Sequence, residues 1–229
     1  MTHKQGERDW HTLDESQLRQ RLDTREEGLS ADEAARRLND VGPNLLEGDE
    51  GIHPLLLFLR QFHNPLMYLL IGAALLSLLA DHALDAGLIG GVILLNALLG
   101  FVEEWRAEGA LAALRQLSAP QARVRRDGRT QVIEATEVVP GDVLVLETGD
   151  RVAADARVVS SDELQADESA LTGESEPVAK RPGAREQQTA VADRDNMVWM
   201  STPITGGRGR ALVVQTGIRT EMGRIADEV

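Results

Sequence analysis

Two long apolar runs constrain this chain more than any other feature. Residues 55–80 are almost continuously apolar, and after Asp81-His82-Ala83-Leu84-Asp85 a second apolar run occupies 86–102. Each comes close to the roughly 20 residues needed to cross the hydrocarbon core of a bilayer. A pair of buried helices in a soluble core would carry polar residues along one face. Here the only polar side chains are Tyr68 and Ser77 between 66 and 80, and Asn96 between 86 and 102. The pattern therefore predicts a membrane-spanning helical hairpin. Its connecting loop contains Asp81 and Asp85 but neither Lys nor Arg, whereas Arg60 precedes it and Arg106, Arg115, Arg123, Arg125 and Arg126 follow. By the positive-inside rule both flanks are expected in the cytosol. The first 20 residues lack an apolar core behind a basic start, so no cleavable signal is expected either.

The flanks are polar enough to hide this hairpin in the average, and mean hydropathy comes out slightly negative. A formal net charge of −13, with the Arg residues interspersed among acids, argues against a nucleic-acid partner, which would need basic patches to displace phosphate counterions. The absence of cysteine excludes disulfides, thiolate metal sites and a thiol nucleophile. Residues 1–50 read as a small helical module: Leu13, Leu18 and Leu22 lie near helical spacing, Ser30 and Glu33 suggest a capping box, and Gly42-Pro43 stops the second helix. The second membrane helix is expected to continue to 117, with Ala107, Leu111 and Leu114 on one side and Pro120 beyond its end. After it the period shortens. A β-hairpin turning at Asp127-Gly128 is predicted, followed by strands over 143–146, 152–159 and 211–215, with the Gly206-Gly207-Arg208-Gly209 run as a turn between strands and a helix over 220–229.

One polar segment stands out inside this β region: Asp167-Glu168-Ser169-Ala170-Leu171-Thr172-Gly173-Glu174-Ser175-Glu176-Pro177-Val178-Ala179-Lys180. It resembles the actuator-domain signature of P-type ATPases, whose Thr-Gly-Glu-Ser loop is matched by Thr172, Gly173, Glu174 and Ser175. Other stretches resemble the family's in the same order: Pro140-Gly141-Asp142, Gly149-Asp150-Arg151-Val152 through Asp155, Asn196-Met197-Val198, and Thr216-Gly217 through Gly223-Arg224-Ile225. Asn64-Pro65-Leu66 and Leu95-Asn96-Ala97 through Gly100-Phe101 are similar to the first two membrane helices of the cation pumps. The likeness covers nearly the whole chain and is nearest to the calcium-pump-like branch.

The resemblance implies a multidomain α+β membrane protein: an N-terminal helical module (1–50), a transmembrane hairpin with a cytosolic helical extension (54–117), and a mostly β, distorted jelly-roll-like actuator domain (118–229). In this family ATP phosphorylates an aspartate on another domain, and the actuator loop then covers the acyl phosphate. Glu174 would orient and deprotonate the attacking water, with Thr172, Gly173 and Ser175 shaping the loop. The implied partners are the lipid bilayer, a transported cation, and the phosphorylation and nucleotide-binding domains. ATP and Mg2+ would serve the complete pump and bind elsewhere, because neither the Asp-Lys-Thr-Gly-Thr phosphorylation motif nor a Pro-Glu-Gly-Leu helix break occurs here. The chain alone is expected to be inactive, in a multi-pass protein of the cell membrane. A truncated, catalytically inactive membrane-anchored module is the other reading.

Several features point elsewhere less strongly. Asp162, Glu163, Asp167 and Glu168 lack the glycine and terminal Glu of an EF-hand loop and read as a solvated acidic surface. Glycines 206, 207 and 209 lack the Lys-Ser/Thr of a phosphate-binding loop. His63 reads equally as an interfacial anchor or as a ligand or proton carrier, and stands where sarcoplasmic-reticulum-type calcium pumps have an acid nearby. Departures from the family are Ala153 in place of a common proline and Ser201 in place of a glycine, both bearing on loop rigidity.

Overall fold

The computed structural model describes residues 9–46, 54–117, 120–173 and 175–227, with backbone only for 110–117 and 227. Glu174, and the side chains of Leu111, Leu114 and Arg115, lie outside the described residues. The chain divides into two compact units, one comprising 50–118 and the other joining 1–49 to 119–229. The N-terminal helical segment, which the sequence presents as a module of its own, thus belongs to the same unit as the β domain.

The 50–118 unit contains helices α3 (Pro54–Arg60), α4 (Pro65–Leu79) and α5 (Ala83–Leu117), after α1 (Glu15–Arg21) and α2 (Ala31–Val41) of the other unit. The first apolar run is not continuous: α3 and α4 meet at a 70° bend. Pro65 has no N–H to give a preceding turn and pushes Asn64 out of helical dihedrals, to φ −131 and ψ 138. Asn64 then caps the new helix, its side chain accepting from Leu66 N at 3.0 Å. In the break, the Tyr68 hydroxyl pairs with His63 Nδ1 at 2.7 Å. At 15 residues α4 spans about 22 Å, short of the hydrocarbon core without α3. Helix α5 has 35 residues, of which Ala83–Gly109 is long and apolar enough to cross a membrane. Met67 and Ala97 are buried where α4 and α5 pack, while Leu76, Leu79, Leu84 and Leu88 stand exposed.

The other unit is organised by one antiparallel sheet: β1 (Gln121–Arg126), β2 (Arg129–Glu134), β3 (Val143–Glu147), β4 (Asp155–Ala166), β5 (Val178–Ala179), β6 (Met197–Val198) and β7 (Ile204–Gln215). The strand order is β2-β1-β3-β7-β4-β5, with β6 also paired to β4. The β1–β2 turn at Asp127-Gly128 takes φ 49 and 73, the left-handed pair that a two-residue hairpin demands. Both faces of the central strands are apolar. Leu144, Leu146, Ala211 and Val213 enter one cluster with Val124, Ala156 and Val158, while the alternating Val143, Leu212 and Val214 enter another with Trp199 and Met197. Trp10, Leu18 and Leu22 complete the second cluster, so the N-terminal segment covers a sheet face that water would otherwise meet.

Polar clasps hold that cover in place. Arg157 is 2% exposed and forms no ion pair among the described residues; its guanidinium donates to the carbonyls of Trp10 (2.9 Å), Leu13 (2.9 Å), Gly183 (3.0 Å) and Asn196 (3.0 Å). Burial lowers its pKa to about 10, leaving it charged at neutral pH. Asn196 Nδ2 adds bonds to the carbonyls of His11 and Gly183. Asn44 donates to those of Ala135 and Ala153 and accepts from Gly217 N.

Three local expectations are corrected. The glycine run at 206–209 is not a turn: it lies inside β7, where Gly206 pairs with Gln165, Arg208 with Asp162, and Gly207 opposes the bulged Glu163. A Cβ on Gly207, at φ 68, would stand 2.2 Å from the Glu163 carbonyl carbon and oxygen. Strand β4 accordingly runs on to Ala166 rather than stopping near 159. Ser30 does cap α2 through Glu33 N, but the Glu33 carboxylate goes to Arg36 and Arg37; the reciprocal box is Asp14–Gln17 on α1. Ser201 adopts φ 70, a left-handed conformation that favours glycine.

Arg157→Met should leave the Trp10 and Leu13 carbonyls without this donor, remove one of the donors to those of Gly183 and Asn196, and cost about 3 kcal/mol or more, since the lost bonds were to a buried cation. The check is the denaturant midpoint of the detergent-solubilised chain together with protease cutting between 9 and 46. An unchanged midpoint and an uncut segment would show that Arg157 is not the clasp.

Candidate functional site

The segment singled out by sequence connects β4 to β5. The last rungs of the ladder are Gln165 with Ala179 and Ala166 with Val178, leaving 167–177 as the loop. Asp167 N donates to Pro203 O at 3.0 Å, and its carboxylate turns back to accept from Ser169 N at 2.9 Å. The bonds from Ser169 hold the Asp167 pKa below the usual range. A single helical turn follows, α6 (Ser169–Thr172), built on the carbonyl of Glu168, which accepts from Leu171 N, Thr172 N and Thr172 Oγ1. Gly173 ends it at φ 78, its N–H reaching Ser169 O at 2.9 Å. A Cβ there would meet nothing within 4 Å, so the dihedral and not the space calls for glycine.

Of the four residues expected to form the site, the structure brings Thr172, Gly173 and Ser175 to one loop tip. Thr172 is half-buried against its own helical turn, while Gly173 and Ser175 are exposed. Glu174 lies between them in sequence but outside the described residues. The hydroxyl of the exposed Ser175 can donate or accept hydrogen bonds toward a surface brought against it, while that of Thr172 is given to the Glu168 carbonyl.

The base of the loop departs from the sequence reading. Glu168 was expected on a solvated acidic surface with Asp162, Glu163 and Asp167, and it is instead 1% exposed. Its carboxylate meets the ammonium of Lys180, itself buried, at 2.5 Å. Burial pushes the Glu168 pKa up and that of Lys180 down, in each case against the opposing charge of the partner. Lys180 is fixed through its main chain, with its N–H on Leu164 O at 2.7 Å and its carbonyl accepting from Ser161 Oγ at 2.6 Å. One signal for the pair was present in the sequence. Alternation from Val178 through Ala179 points residue 180 inward, where an ammonium needs a partner. Asp162 does face solvent, paired with Arg208 at 2.9 Å.

The remaining stretches that resemble the family build scaffold. Asp142 is buried under a two-pronged contact from Arg126, with both bonds at 2.7 Å. Asp150 ties Arg123 (2.6 Å) to Glu147 N (2.8 Å). Gly217, at φ 56, passes so close to Leu45 O that a Cβ would lie 2.7 Å from it. Asp155 accepts from Met200 N and from Glu221 N at the start of α7 (Glu221–Asp227), and burial raises its pKa to about 7. Among the described residues no group of His, Asp or Glu is arranged to hold a metal ion.

Comparison with known proteins accounts for this arrangement. A family model of the P-type ATPase actuator domain matches residues 116–229, and one of the cation transporter/ATPase N-terminus matches 10–77. A probable cation-transporting ATPase F of Mycobacterium tuberculosis is 44% identical over 86% of this chain and 22% of its own length. A calcium-transporting ATPase of Bacillus subtilis is 38% identical over 95% of this chain and 25% of its own. A sodium/potassium exporting P-type ATPase of Schizosaccharomyces pombe is 40% identical over 87% and 20%. The chain therefore spans about a fifth to a quarter of the length of these relatives. The two family models together match most of the chain, and the chain belongs to the P-type cation-transporting ATPases.

Proposed function

We propose that this chain is the N-terminal portion of an ATP-driven cation pump of the cell membrane, and that its loop at 172–175 hydrolyses the aspartyl-phosphate intermediate formed on another domain of the same pump. The observation that carries the reading is the loop itself, an exposed tip held on a wholly buried base and suited to being pressed into a separate body. In this role Glu174 is the general base that orients and deprotonates the attacking water, while Thr172 and Ser175 supply hydrogen bonds and Gly173 the left-handed turn. ATP and Mg2+ belong to the parts of the pump beyond this chain. Gly206, Gly207 and Gly209 are packed against β4 inside a strand, so they do not fit a phosphate cradle. The cargo is a cation, with calcium the first candidate; one relative is named for calcium and another for sodium and potassium.

The hairpin is proposed to insert with both ends in the cytosol, because its short loop carries acids and its flanks carry arginines. Ala83→Cys and Thr130→Cys test this, both positions being exposed. A membrane-impermeant thiol reagent applied from the cytosolic side should label only position 130, and equal labelling of the two would overturn the topology.

The chain by itself is proposed to release no phosphate from ATP and to form no phosphoenzyme, for want of the accepting aspartate. Detection of either above a membrane control would refute this.

In the complete pump, Glu174→Ala should leave phosphoenzyme formation intact and slow its hydrolysis by about 10² to 10⁴, the usual loss on removing a general base. The mutant should accumulate phosphoenzyme and lose cation transport. The measurement is phosphoenzyme decay after an ATP chase, and decay at the wild-type rate would remove Glu174 from the mechanism.

A further inference from the structure

The β4–β5 ladder stops at Ala166 and Val178, so something beyond the ladder must orient the turn that carries Thr172 and Gly173. Glu168 is placed to do it in two directions. Its carbonyl takes three hydrogen bonds from Leu171 and Thr172, and its side chain points the opposite way into the interior. There it meets Lys180, whose own main chain is bonded to Leu164 and Ser161 of β4. Residue 168 stands at the start of the loop and residue 180 just past β5 at its other side, and their contact ties the two sides together.

Stability is a poor reason for such a pair. Neither carboxylate oxygen of Glu168 nor the Lys180 ammonium has a hydrogen-bond partner among the described residues beyond the ion contact itself. Buried ion pairs this thinly satisfied are commonly matched or exceeded in stability by apolar residues of the same volume, because desolvation of two charges offsets their attraction. An ion pair does what an apolar contact does not: it fixes a distance and a direction. We propose that the Glu168–Lys180 pair is a positioning device that sets the placement of the Thr172–Ser175 loop for hydrolysis of the phosphoenzyme, the two residues acting through the loop and not on the reacting atoms. The inference rests on the hydrolytic role proposed for that loop.

Four variants of the complete pump test it. The double variant Glu168→Met/Lys180→Met fills the same space without charge. It should melt near the wild-type temperature and phosphorylate at the wild-type rate, yet lose phosphoenzyme about ten-fold more slowly or worse, as expected when reacting groups are displaced by a fraction of an ångström to an ångström. The reversed pair Glu168→Lys/Lys180→Glu restores the ion contact and should recover most of the decay rate. Wild-type decay in the methionine pair, or a reversed pair no faster than the methionine pair, overturns the proposal. Should the methionine pair fail to fold, Lys180→Arg decides, since it keeps the charge and lengthens the arm. Slowed decay with normal phosphorylation supports positioning, and unchanged decay defeats it. Glu174→Ala is measured alongside. If it decays like wild type, the loop's hydrolytic role has failed; if it alone is slow, only the positioning device has.

Discussion

A sheet whose two faces are both apolar cannot stand in water with one of them bare, and that constraint organises the larger unit of this protein. Val143, Leu212 and Val214 alternate with Leu144, Ala211 and Val213, so every central strand presents side chains to two clusters. The second cluster is closed by Trp10, Leu18 and Leu22, which lie more than a hundred residues away in sequence from the strands they cover. The N-terminal segment is therefore part of the β domain's core. Arg157 follows from the same geometry: a cover made of short helices and turns brings the Trp10 and Leu13 carbonyls to the sheet, and one buried guanidinium bonds both of them together with the carbonyls of Gly183 and Asn196.

The same unit shows how a functional loop can be both exposed and well placed. At its tip, local turn chemistry shows in a glycine at positive φ and in bonds onto one carbonyl. Its base is wholly buried and charged. The exposed tip and the buried base are carried by neighbouring residues, and one of them, Glu168, serves both, its carbonyl bonding the turn and its carboxylate meeting Lys180. The family stretches outside the loop serve the scaffold: Asp142, Asp150, Gly217 and Asp155 fasten turns, a clasp and the start of α7.

In the other unit the decisive residue is Pro65. An apolar run long enough to cross a bilayer is broken into α3 and α4 because proline cannot continue the preceding helix and Asn64 caps the new one. Composition alone reads through such a break, since hydropathy averages side chains and is blind to a missing N–H.

Much about this protein was decided by local sequence. Apolar length set the hairpin, Asp127-Gly128 set the β-turn, Ser30 and Gly42 bounded α2, and the Thr172-Gly173-Glu174-Ser175 loop with its companion stretches carried the family and the reading of function. These signals are legible because each depends on residues a few positions apart, through a dihedral, a cap or a period. Tertiary structure decided what depends on partners distant in the chain. It placed the 206–209 glycines within a strand because the Glu163 backbone passes beside them, drew the N-terminal helices onto the sheet, and turned Glu168 from an apparent surface acid into the buried partner of Lys180. A carboxylate's environment is fixed by what packs around it, and the ammonium that Glu168 meets stands twelve positions away, across a loop: alternation points Lys180 inward, but no local pattern says which acid it meets there.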